Sequence, residues 1–215
     1  MNKLNKIRLP LDIMMTLVSI VLMGGNFLFP AEIVHEILGV GLFVLWGVHI
    51  ALNRRWYSAI FRGKYKLYRV MQTVINCCIL ICTIFLMISG IILLNHLFIF
   101  LNIQSGLGFA RIAHLLSSHW YYLFMSLHIG LHMGRFFQNI VAKIFPRILL
   151  VLVCAYGLYA FIARGVWKYL ILKQQFFFFD VERGYILFTM DYISIIILFA
   201  TISHVIAKLL KKRFN

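Results

Sequence analysis

Apolar positions in this chain come in long unbroken runs, and the polar and basic residues are gathered into short segments between them. The runs extend from about Pro10 to Phe29, Ala31 to Asn53, Tyr68 to Asn95, Phe109 to Phe136, Pro146 to Ala163 and Tyr185 to Leu209. At 1.5 Å of rise per helical residue, each is long enough to cross a hydrocarbon core of about 30 Å. The pattern predicts an all-α, polytopic membrane protein with six spans. The prolines Pro10, Pro30 and Pro146 fall at the edges of runs, where a missing N–H is tolerated. The first run is too long, and lacks the small-residue cleavage site, expected of a removed signal peptide, so it is read as a mature helix.

Composition supports the membrane reading: the 215 residues are 63% hydrophobic and 13% charged, with a mean hydropathy of +0.93. The formal charge of +15 does not point to nucleic acid, because the basic residues lie between apolar runs and form no soluble basic face. They are topology signals instead. Most lie before the first run (Lys3, Lys6, Arg8), in the second loop (Arg54 to Arg69), in the fourth loop (Arg135, Lys143, Arg147) and in the tail from Lys208. The positive-inside rule then places both termini in the cytoplasm. Residues 166–179, aromatic and cationic, lie outside, where they suit a helix resting among lipid headgroups.

Histidines inside such runs need a reason, since an imidazole in lipid is costly unless it is paired. In HEILGVGLFVLWGVH, His35 and His49 are 14 residues apart, and His114 and His128 repeat that spacing in HLLSSHWYYLFMSLH. Fourteen residues turn a helix through about 1400° and advance it about 21 Å, so each pair shares a face with one member near each leaflet. The two runs are separated by one antiparallel span and are therefore parallel. His35 is expected level with His114, and His49 with His128. Facing imidazoles in a bundle can be the two axial ligands of a haem iron, which leaves no position open for substrate and favours electron transfer. Two stacked b-type haems follow, and the absence of C-x-x-C-H argues against covalent c-type attachment.

A weak internal duplication agrees. HIALNRRWY from His49 aligns with HIGLHMGRF from His128, and LMGG and MISG end the preceding runs, placing Gly25 and Gly90 where a macrocycle approaches the backbone. Taken alone, these glycines are better read as small residues at helix contacts. HEILGVGLFVLWGVHIALNRRW after IRLPLDI, then SGIIL, SLHIGLH, YGLYAFIARG and FFFFD, resembles the signature of a widespread bacterial membrane family catalogued only as a domain of unknown function and regarded as cytochrome-b-like. The paired spacing is also similar to that of the haem-ligating histidines in respiratory and photosynthetic cytochrome b. The resemblance implies transmembrane electron transfer in a bacterial cytoplasmic membrane. It implies exchange with quinones and an extracytoplasmic flavin-binding partner as well.

Around this core, Arg111 lies one turn before His114, and Arg54, Arg55 and Arg135 lie beyond His49 and His128. Arginine forks suit haem propionates, which stands level with topology at Arg111, whereas topology is the better reading of the inner arginines. His132, one turn past His128, is a possible substitute ligand; His119 faces elsewhere and is read as a polar contact between helices. His96 is read as interfacial, and His204 as either a snorkelling or a proton-handling group. Glu32 and Glu36 are placed to orient His35 or carry a proton, with helix N-terminal placement the better reading at Glu32. Asp12 and Asp191 lie near the rims of runs. Cys77, Cys78, Cys82 and Cys154 are read as packing residues. No phosphate loop, catalytic triad or dinucleotide fingerprint is present. The expected architecture is therefore a four-helix bundle with two haem sites over residues 1–140, followed by two further transmembrane helices over 141–215. The alternative is a transporter or a metal- or proton-handling protein using these histidines, which would expect carboxylates at mid-membrane depth and broken helices.

Overall fold

The computed structural model describes residues 3–25, 32–94, 96–180, 182 and 184–214. With 83% of the described residues helical and no strand among them, the fold is all-α. Its helices are α1 (Lys3–Leu22), α2 (Glu32–Leu52), α3 (Arg54–Ala59), α4 (Leu67–Leu93), α5 (Leu107–His132), α6 (Gly134–Ala142), α7 (Ile144–Ala163), α8 (Val166–Leu170) and α9 (Gly184–Phe214).

Four of them, α2, α4, α7 and most of α9, are long and apolar enough to cross a membrane. α1 and α5 have the length but are more polar: α1 carries Lys3, Lys6, Arg8 and Asp12, and α5 carries Arg111, four histidines and several serines. The helices also run beyond the apolar runs. α1 does not begin at Pro10 but continues through it from Lys3, because the fixed φ of proline fits a helix and the lost N–H costs one bond near the end. α9 likewise extends past Leu209 through its basic tail to Phe214.

The segment 166–179 is not one helix. Only Val166–Leu170 is helical; Leu172 then takes a positive φ of 56° and the chain continues irregularly. Tyr169 anchors this stretch, its hydroxyl accepting from Gln174 Nε2 at 2.9 Å and from the Phe178 N–H at 3.1 Å.

α5 lies between α4 and α9, α7 covers α9, and α1 pairs with α2. Tyr121, Tyr122 and Met125 of α5 form the core with Tyr192, Ile195 and Ile196 of α9, Cys82 of α4, and Ile20 and Met23 at the end of α1. α5 and α9 approach to backbone contact at Gly130, and α7 and α9 do so at Gly157: a Cβ at either would collide with the main chain of Ala200 or Ser194. Gly130→Ala is therefore expected to lower stability by ~1–3 kcal/mol, because backbone atoms cannot yield as a flexible side chain would. Its thermal midpoint in detergent, compared with that of Gly47→Ala in open space, checks this.

At one end of α9 sits a buried ionic node. Asp191, 1% exposed, accepts from Arg164 Nε at 2.9 Å and from the Tyr156 hydroxyl at 2.6 Å, and Arg164 also reaches Asp180 at 3.1 Å. Asp191 is thus a structural clamp between α7 and α9. By contrast α2 is lightly held, with Glu36 its one buried residue.

Candidate functional site

The histidine spacing on α2 and α5 does bring imidazoles together. The ring centroids of His49 and His128 are 6.4 Å apart, with the planes inclined at 71°. α2 and α5 are not among the closely packed helix pairs, so the two rings meet across an interhelical gap. Each is held from behind. His49 Nδ1 bonds Asp12 Oδ1 of α1 at 2.8 Å, and His128 Nδ1 bonds Asn76 Oδ1 of α4 at 2.7 Å. Both partners are acceptors, so each Nδ1 carries a proton, and the neutral ring then has its lone pair on Nε2.

That donor set fits a metal held between two imidazoles. Nitrogens each about 2 Å from a common metal place ring centroids about 6 Å apart. Nδ1–H bonds to a carboxylate and an amide are the usual device for fixing the tautomer and orientation of a ligating histidine.

At the other end of the same faces, His114 Nδ1 donates to Ser89 Oγ at 3.1 Å, and the Ser89 hydroxyl donates in turn to the Phe85 carbonyl at 2.6 Å. Gly90 follows directly, and a Cβ there would lie 3.8 Å from His114 Cε1. His35 is close enough to His114 to couple to it electrostatically. Its Nδ1 is buried without a hydrogen-bond partner among the described residues, and the Gly25 carbonyl faces the ring. Gly25 has a φ of +59° and backs onto the Phe177 ring, 3.5 Å from where a Cβ would be.

The other candidates are distributed as follows. The His132 ring lies 4.5 Å from His128 at 47° and shares its surroundings with His49, Asp12 and Lys211. Arg111 and Arg54 are exposed; the Arg135 side chain lies outside the described residues. Arg8 enters this region instead, donating to the Leu52 carbonyl at the end of α2 at 2.5 Å.

Glu36 acts on His35 through its charge and is bonded to the loop after α4. Buried at 7%, it accepts from His96 Nδ1 at 3.0 Å and from the N–H groups of His96 and Leu97 at 3.2 and 3.0 Å, holding the loop after α4. His119 does not bridge helices by hydrogen bonding: its Nδ1 bonds the Leu115 carbonyl of its own helix at 2.8 Å, and its ring stacks on Tyr169 at 4.2 Å. His204 stacks on Phe137 at 4.9 Å beside a pocket of about 120 Å³ that Lys208 and Lys211 also line. The cysteines are free thiols, and Cys82 is buried.

Among the described residues no three or more His, Cys, Asp or Glu side chains converge on a point. A porphyrin supplies four donors itself and needs only two from the protein.

The sequence reading missed the roles of Asn76 and Ser89, and weighed Asp12 only as a carboxylate at a rim. A signal existed in each case: Asn76 is a lone amide within an apolar run, Ser89 precedes Gly90 in MISG, and Asp12 sits in the run antiparallel to that of His49. No protein-family model, curated protein or solved structure matches the chain.

Proposed function

We propose that this chain is a transmembrane b-type dihaem cytochrome of six spans, in which His49 and His128 ligate one haem and His35 and His114 the other. The observation that carries the reading is the 6.4 Å approach of His49 and His128 with both Nδ1 atoms occupied from behind. Bis-imidazole haem supplies reversible one-electron chemistry with no open coordination position. Asp12, Asn76 and Ser89 fix the imidazoles, and Gly90 lies beside His114.

The resemblance of the sequence to a cytochrome-b-like bacterial family supports the same assignment. It adds a cytoplasmic-membrane location, a quinone or redox protein on one side, and an extracytoplasmic flavin-binding partner on the other. Both termini are assigned to the cytoplasm on the basic loops, and Arg111, Arg54 and Arg135 to the haem propionates.

The test is the dithionite-reduced minus oxidised absorption spectrum of the purified protein. A b-type difference band is expected. A flat trace overturns the proposal and leaves the histidines to ion or proton transport or to plain contacts between helices.

A further inference from the structure

The four imidazoles are not held alike, and the difference runs along the membrane normal. At one end His49 Nδ1 faces the carboxylate of Asp12 at 2.8 Å, and His128 Nδ1 faces the amide oxygen of Asn76 at 2.7 Å. At the other end His114 Nδ1 meets the Ser89 hydroxyl at 3.1 Å beside the Leu86 carbonyl, and the Gly25 carbonyl faces the His35 ring, while the Glu36 carboxylate nearby is bonded to His96. Among the described residues only His49 of the four has a carboxylate bonded directly to its ring, and a charged acceptor pulls harder on the Nδ1 proton than a neutral one. The stronger the pull on the Nδ1 proton, the more imidazolate character the ring has, and the better its Nε2 stabilises the more positive oxidation state of a bound metal. A carboxylate close to the site also favours that state directly.

Resting on the cytochrome reading, we infer that Asp12 is a positioning residue that makes the His49–His128 pair the lower-potential site and leaves the His35–His114 pair the higher one. In the half-reduced protein the electron then resides at the His35 end, and this biases transfer toward that end. The charged and titratable neighbours of the lower site include His132 and Lys211, both cationic when protonated. Lys211 directs its ammonium onto the Tyr68 ring at 3.9 Å, whereas Asp12 bonds His49 itself. The carboxylate therefore dominates at the ligand.

The test is a redox titration, followed optically, of the purified protein and three variants. The native protein is expected to titrate in two steps. Asp12→Asn keeps the shape and removes the charge; it is expected to raise the lower step by at least tenfold in its equilibrium constant, about 59 mV for one electron, and leave the upper step in place. Asn76→Asp adds a charge at the same site and moves the lower step further down, which keeps the test decisive if Asp12→Asn assembles poorly. His35→Ala removes the upper step. A lower step that stays put in Asp12→Asn, or an upper step that moves in its place, overturns the inference while the cytochrome reading stands. Absence of any b-type signal in the native protein sinks the reading itself.

Discussion

His128→Ala is expected to yield a protein with one haem where the native chain has two. On the proposed reading His128 and His49 share one iron, and the loss of either nitrogen leaves a single axial bond in a site built to supply two. The His35–His114 pair is about four helical turns away and bonds through Ser89, not Asn76, so its haem is expected to remain. His132 is the one nearby imidazole able to compensate, its ring being 4.5 Å from that of His128. The measurement is therefore the haem-to-protein ratio of His128→Ala alone and combined with His132→Ala. A ratio still at two in the double variant contradicts the assignment, and a ratio of zero shows that the sites assemble only together.

The largest expected effect on stability is at Asp191. Replacement by alanine removes the carboxylate that Arg164 Nε and the Tyr156 hydroxyl bond at 2.9 and 2.6 Å. Removing one partner of a buried ion pair costs about 3–5 kcal/mol. Arg164 retains Asp180 at 3.1 Å and is 23% exposed, which places the loss at the lower end of that range. For a chain of this size ~3 kcal/mol corresponds to a fall of about 6–12 °C in thermal midpoint. Asp191→Asn, which keeps the shape and an acceptor, is expected to lose less. An unchanged midpoint in Asp191→Ala contradicts the clamp.

The helices were largely legible because hydropathy reports directly on what lipid demands. The second run, Ala31 to Asn53, became Glu32–Leu52, and the third, Tyr68 to Asn95, became Leu67–Leu93. Legibility failed where helix and apolar run part company. α1 passes through Pro10 into a basic flank, α9 runs on through lysines, and the aromatic stretch after Leu170 has the composition of an interfacial helix but not its backbone.

At the candidate site, periodicity placed His49 and His128 on facing sides, because a fixed rise and turn per residue is all that step requires. What stands behind each ring was not legible. Partners such as Asp12, Asn76 and Ser89 lie on other helices, and their register against α2 and α5 is set by packing that no single run encodes. Glu36 shows the converse: adjacent to His35 in sequence, it turns to His96 and the loop after α4. Chain neighbours on a helix point about 100° apart, so proximity in sequence is poor evidence of partnership.

The claim on which the account turns is that two imidazoles close on each iron. Electron paramagnetic resonance of the oxidised, purified protein tests it most directly, because the spin state of ferric haem reports whether both axial positions are filled. The account predicts low-spin signals from two sites and no high-spin component, with a high-spin component arising or one low-spin signal vanishing in His128→Ala. A native protein dominated by high-spin ferric haem, or one giving no haem signal, contradicts it.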